Sequence, residues 1–309
     1  MVALHRPGSD TSYLKALGCT LSEGGLGDEP GRLALRIEGC RWAVHCAARV
    51  FSGKDWGEVQ EANVEGTRNT LKAAARAGVL HSVHVSSVAV YGNATGTMDG
   101  TVALDGVIPP QNLYARSKRL AERAAAEIHE AGPMQVTIVR PSVIYGERDR
   151  LFAPMLARLL RFPVVPVMGR GDNTIPVVYA GNVAAGVVAA LDGRGAGNAF
   201  NLAADYPVTQ WELLEGLARV LGRAPIFVQM PGALVRALAQ LADGAGSILP
   251  GVRRWSGARA ARLVLGENPY ASQRARDELD WRPVVTHESA LRRTGRWLSH
   301  RDNNEVIEL

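Results

Sequence analysis

The chain is poor in the features that would tie it to an oxidising compartment, a membrane or a nucleic acid. Its 309 residues hold three cysteines, Cys19, Cys40 and Cys46. An odd number without Cys-x-x-Cys spacing argues against a disulfide framework and against a zinc site. The start carries no charged-then-apolar leader pattern. No uninterrupted apolar run reaches the length of a membrane span. The nearest approach, "PGALVRALAQLADGAGSILPGV" (231–252), is broken by Arg236, Asp243, glycines and prolines. It reads as a lid or as a membrane-surface helix, and the breaks favour the lid. Net charge is +5, but the cations are scattered, mostly as arginine, without a basic block or interleaved aromatics. That pattern suits weak attraction for an anionic ligand and does not suit a nucleic-acid footprint. A cytoplasmic location, no nucleic-acid partner and no stable membrane insertion are the expectations.

What is present is ordinary globular material, 47% hydrophobic and 21% charged, long enough for a large core and two lobes. Apolar β-type runs alternate with helical patterns through the first half. "WAVHCAA" (42–48) reads as a strand, and "VQEANVEGTRNTLKAAARAG" (59–78) as a helix stopped by Gly78. "SVHVSSVAVYG" (82–92) reads as a strand, followed by a helix from Tyr114 to Ile128 and another strand over "VTIVRPSVIYG" (136–146). Such alternation implies right-handed crossovers and a parallel sheet covered on both faces. After Gly146 the alternation loosens. Helices are expected over 151–162 and 209–223, the latter capped by Thr209, with a strand entering a helix over 174–191 and a short strand over 197–203. The expected division is a nucleotide-type lobe of 1–146 plus 174–203, a smaller, mainly helical lobe of 147–173 plus 204–300, and a tail of 301–309.

In an open parallel sheet, ligands sit beyond the carboxyl ends of the strands. Ala47 and Ala48 close one strand there with little bulk, and Ser86 and Ser87 close the next. Tyr114 and Lys118 start the following helix at i and i+4, on one face. A free phenol, with a pKa near 10, is a poor base at neutral pH. A nearby ammonium favours the phenolate, which makes the pair a usable general acid/base for a hydroxyl or carbonyl. A serine hydroxyl can hold the same oxygen as charge develops on it. His45, His81 and His84 lack partners at metal-ligand spacing and read as packed or hydrogen-bonded histidines. Cys46 reads as a small buried residue, and Tyr91 and Tyr145 as packing near the crevice.

Taken together, these segments resemble the extended short-chain dehydrogenases/reductases, the NAD-dependent epimerase/dehydratase group with its 3β-hydroxysteroid-dehydrogenase-like members. "VHCAA", "NVEGTRNTLKAA", "VSSVAVYG", "YARSK", "RPSVIYG" and "ELDWRPVVTHESALRRTGRWL" follow in the family's order. The resemblance implies a Rossmann-like doubly wound sheet and a Ser-Tyr-Lys site. Ser87, rather than Ser86, matches the catalytic hydroxyl, Tyr114 the acid/base and Lys118 its cationic neighbour. Asn63 matches the family's polar residue in the preceding helix. Pro141, Ser142 and Val143 match the segment passing the nicotinamide. Ala47 and Ala48 match the strand end under the cofactor, and Arg6 the position near the adenosine ribose or phosphate. The cofactor is then NAD or NADP, with Arg6 favouring NADP, since a guanidinium suits a 2′-phosphate. A small-molecule substrate and a homodimer are implied as well.

One part of the family pattern has no match. The family opens with a strand, a Gly-x-x-Gly-x-x-Gly turn and a helix that takes the pyrophosphate. "MVALHRPGSD" instead resembles the end of the family's second strand. The glycines of "GCTLSEGGLGDEPG" fall late and do not join a strand to a helix in the right place, and the acidic residue expected at the adenine falls on Gly25, with Asp28 a neighbour. The expectation is therefore that a first βα unit of roughly 30 residues is missing through a start codon set too late. The competing expectation is a truncated, non-catalytic relative that binds or scaffolds.

Overall fold

The computed structural model describes residues 1–50, 55–248 and 257–302. The chain order is β1 (Val2–His5), α1 (Ser12–Ala16), β2 (Thr20–Glu23), α2 (Pro30–Arg36), β3 (Trp42–His45) and α3 (Trp56–Gln60). Then come α4 (Gly66–Arg76), β4 (His81–Val85), α5 (Leu113–Ala131), β5 (Gln135–Pro141), β6 (Val143–Tyr145) and α6 (Phe152–Leu159). After these follow β7 (Val164–Met168), β8 (Val177–Tyr179), α7 (Ala180–Ala190), β9 (Ala199–Leu202), α8 (Gln210–Val220) and β10 (Ile226–Met230). The chain continues through α9 (Gly232–Ile248), α10 (Gly257–Leu265), α11 (Gln273–Glu278) and α12 (His287–Asp302).

Two compact units divide these elements. The first takes 1–141, 186–201 and 273–281; the second takes 142–185, 202–272 and 282–309. In the first unit, a four-stranded sheet runs in the order β3-β4-β5-β9, with β3-β4 and β4-β5 parallel. β1 and β2 form a separate parallel pair. The sheet is therefore not continuous. The described chain does open with a strand and a short helix, so an absent first βα unit is not shown. β3 is unusually bare for a strand of a parallel sheet: Trp42 is 50% and Val44 45% exposed. Gly24, Gly25 and Gly27 lie between β2 and α2, after the second strand of the separate β1–β2 pair.

Local chemistry explains the breaks. The helix expected over 59–78 is α3, one π-type turn over Glu61–Glu65, and α4. Gly78, at φ +76°, supplies the left-handed turn after it. The strand expected over 82–92 stops at Val85. There the Ser87 side chain accepts from the Ala89 N–H at 3.2 Å and caps a 3₁₀ turn, Val88–Tyr91. Gly92 ends that turn at φ +62°, where a Cβ would stand 2.6 Å from the Val107 carbonyl oxygen. β5 and β6 are one expected strand cut at Ser142. β5 stays in the first sheet, while β6 pairs in parallel with β8.

In the second unit, β7 and β10 form another parallel pair, and neither was expected. Thr209 caps α8 in a full capping box with Glu212. Its core gathers Leu156, Leu160, Val165, Val167, Leu213, Leu217 and Leu291. The 231–252 segment is α9 over Gly232–Ile248, with Leu234, Leu238 and Leu241 exposed; 249–252 lie outside the described residues. No helix among the described residues is long and apolar enough to cross a membrane.

Candidate active site

Three sequence-predicted residues come together in the first unit. Asn112 starts α5 by accepting from the Ala115 N–H at 3.1 Å. This cap fixes the first turn, so Tyr114 and Lys118 share the helix face turned inward. Lys118 is buried, and its Nζ donates to the Val85 carbonyl at 2.8 Å. That carbonyl ends β4, two residues before Ser87. The Ser87 hydroxyl interacts with the Tyr114 phenol in the sense that favours the phenolate. Hydroxyl, phenol and ammonium thus meet at the carboxyl end of β4. Among the described residues, Ser86 Oγ is buried with no hydrogen-bond partner.

The electrostatics differ from expectation. Burial pushes the Tyr114 phenol above its usual pKa, while the neighbouring Ser87 hydroxyl pulls the other way. Burial also pulls Lys118 down to about 8, against the attraction of Cys46 and Glu122. The two groups share a poorly solvated pocket that disfavours either charge. At neutral pH Tyr114 is a phenol, and Lys118 is still mostly an ammonium.

Asn63 lies in the π-type turn, a feature common at functional sites. Its Oδ1 accepts from the Arg49 N–H at 2.6 Å, and its Nδ2 donates to the Arg49 carbonyl and to Ser117 Oγ, each at 2.9 Å. Both amide protons are therefore engaged by the protein itself. Asn63 grips the loop that carries Ala47 and Ala48 after β3. Ala47 is exposed and Ala48 half-buried.

The remaining candidates are more dispersed. Arg6 is exposed after β1, in the separate strand pair. Pro141 ends β5 and is buried. Ser142 and Val143 open the second unit, where Ser142 Oγ donates to the Ala203 carbonyl at 2.5 Å. Tyr91 and Tyr145 are fully enclosed. Tyr91 donates to Asn201 Oδ1 at 2.9 Å, and Tyr145 meets His287 Nδ1 at 3.1 Å. Cys46 is exposed rather than buried.

The histidines behave as neutral packing. His45 stacks on His84 at 5.5 Å between centroids. Its Nε2 lies 3.0 Å from Thr67 Oγ1, which itself donates to the Asn63 carbonyl. Sequence reasoning missed Ser117, Glu122 and Arg140. Ser117 joins Asn63 to the helix of Tyr114. Glu122 follows Lys118 by one turn and pairs with Arg140 at 2.7 Å. The i+4 step from Lys118 to Glu122 was the available signal.

These residues fit the nicotinamide-ribose half of a dinucleotide: an ammonium, two hydroxyls and a strand end without bulk. The pyrophosphate half is less well served. The amides after β2 are already paired with carboxylates. Asp28 Oδ2 accepts from Gly25 N–H, and Glu29 Oε2 from Gly31 and Arg32 N–H. Two carboxylates at that turn repel an anion rather than hold one.

Residues 9–203 match the NAD dependent epimerase/dehydratase family, and the chain belongs to it. It is 27% identical over 282 residues to 3beta-hydroxysteroid-dehydrogenase/decarboxylase isoform 2 of Arabidopsis thaliana, covering 85% of this chain and 49% of that one. The chain thus spans about half the length of that relative. It is 26% identical over 274 residues to the human sterol-4-alpha-carboxylate 3-dehydrogenase, decarboxylating, covering 85% and 74% of the two chains. The fold is shared with UDP-glucuronic acid 4-epimerase from Bacillus cereus, solved in complex with NAD. That match has a TM-score of 0.69 and 17% identity, over 97% of this chain and 90% of that one.

Proposed function

We propose that the protein interconverts a secondary alcohol and a ketone with a nicotinamide dinucleotide at Ser87, Tyr114 and Lys118. The observation that carries this reading is the meeting of Ser87 and Tyr114 at the end of β4, with the buried Lys118 one turn along α5 and bonded to the Val85 carbonyl. Tyr114 gives its proton to the carbonyl oxygen in reduction and takes it back in oxidation. Ser87 holds that oxygen through its hydroxyl. Lys118 contacts the nicotinamide ribose and keeps a positive charge near the phenol. A bound nicotinamide supplies the two-electron redox chemistry at the adjacent carbon. Ala47, Ala48 and Pro141 shape its pocket, and Arg6 meets the adenosine end. Burial holds Tyr114 as a phenol at neutral pH, the form that donates its proton in ketone reduction.

The substrate class we favour is a sterol-like or other weakly polar alcohol. The sterol dehydrogenases among the relatives support this, as do the exposed leucines of α9. A sugar-nucleotide epimerase is the second reading, supported by the family match. Following nicotinamide absorbance with weakly polar ketones and with nucleotide sugars, each with NAD(H) and NADP(H), separates them. Turnover of ketones supports the first reading; turnover confined to nucleotide sugars overturns it.

We also propose that the first unit is completed by one further parallel strand, lying between β1 and β3 and bringing a glycine-rich turn for the pyrophosphate. The support is the division of the sheet at that place and the exposure of Trp42 and Val44. The division into a cofactor lobe and a substrate lobe belongs to the same proposal.

A further inference from the structure

We propose that Ser117 is a positioning residue that locks the helix of Tyr114 and Lys118 to the cofactor-side loop after β3. This rests on the Ser87–Tyr114–Lys118 reading. Ser117 is fully buried, between the two residues of the pair. Its hydroxyl donates to the Tyr114 carbonyl at 2.9 Å and accepts from Asn63 Nδ2 at 2.9 Å. Asn63 in turn holds both polar groups of the Arg49 peptide, at 2.6 and 2.9 Å. One unbroken chain of bonds therefore runs from the backbone of Tyr114, through Ser117 and Asn63, to the loop of Ala47 and Ala48.

The far end of this chain is itself braced. Thr67 Oγ1 donates to the Asn63 carbonyl at 2.6 Å, and His45 Nε2 lies 3.0 Å from the same oxygen of Thr67. With that oxygen's proton spent on Asn63, the imidazole is the donor to it. The Asn63 side chain thus has its backbone anchored on one side and two elements in its grip on the other. Serine is a mediocre helix former compared with alanine, and its side chain competes with helical bonding. Here its hydroxyl is used in both directions. Tyr114 delivers a proton to an oxygen whose position depends on the loop under the cofactor. Displacements of about 1 Å in such arrangements cost on the order of a hundredfold in rate. Ser117 sets that distance without touching the reacting atoms.

The test is Ser117→Ala in the full chain, with Ser117→Cys as the near-isosteric partial replacement. Hydrogen–deuterium exchange reads the link independently of turnover. The Arg49 amide should exchange about tenfold faster in Ser117→Ala, with amides after Glu122 in α5 unchanged. The kcat should fall about tenfold to a hundredfold with little change in KM for the dinucleotide, and Ser117→Cys should lie between. Unchanged exchange at Arg49, or a uniform rise throughout the first unit, overturns the link. Faster exchange at Arg49 with wild-type kcat overturns the positioning role alone. Absence of nicotinamide-dependent turnover in the wild-type chain overturns the enzyme reading and this role with it.

Discussion

Tyr114 and Lys118 meet because a capped helix holds them at i and i+4, and that much could be read from their spacing. Their ionisation could not, because it depends on what covers them. Burial keeps the phenol neutral and weakens the ammonium, and burial belongs to tertiary structure. The same holds for Asn63 and Cys46. The sequence marks one as polar and the other as small, but the contacts of Asn63 and the exposure of Cys46 depend on distant segments. His45 gives a prediction at this scale. Burial, helped by the nearby Lys118, lowers its pKa from the usual 6.5 to about 3, and His84 is lowered in the same direction. Between those values the unfolded chain binds a proton that the folded chain refuses. The stabilisation from His45 is therefore complete above about pH 6.5 and is lost as the pH falls toward 3, at about 1.4 kcal/mol per pH unit, with His84 acting in the same direction. Thermal melts should show Tm dropping steadily from pH 6.5 to 5, and less steeply in His84→Leu. A flat Tm across that range contradicts the assignment.

Elements were legible where their patterns were long. α4, α5 and α8 followed from helical periodicity and caps, and β3, β4 and β5 from apolar runs. β7 and β10 were not, since "VVPVM" and "IFVQM" are short and interrupted or flanked by prolines, and their pairing partners are remote in sequence. The expected strand over 82–92 overran because the 3₁₀ turn after Ser87 depends on a local side-chain cap rather than on an apolar pattern. α5 and β5 are joined by the buried Glu122–Arg140 pair. Burial works against the Arg140 charge, but Glu122 and Tyr91 more than offset it. Arg140 also donates to the Tyr91 hydroxyl at 2.9 Å and to the Gly100 carbonyl at 3.2 Å. Removing one member of a buried pair leaves an uncompensated charge. Glu122→Gln should therefore destabilise the protein by about 3–5 kcal/mol, read from the urea midpoint. A loss below about 1 kcal/mol would show that the pair is not the clamp described.

For the molecule as a whole, the alternation of strands and helices gave the α/β class and the parallel pairing. The first unit holds its strands as a β1–β2 pair and a separate β3-β4-β5-β9 sheet, a division the alternation alone did not reveal. Physically, a bare strand edge flanked by a half-exposed tryptophan is a place where another strand adds readily.

The most direct measurement of the account is the turnover of Tyr114→Phe, followed by nicotinamide absorbance on a ketone that the wild-type protein reduces. Removing the single oxygen should lower kcat by at least about a hundredfold while leaving Tm near that of the wild type. Near-normal turnover in that variant would show that the proton comes from elsewhere.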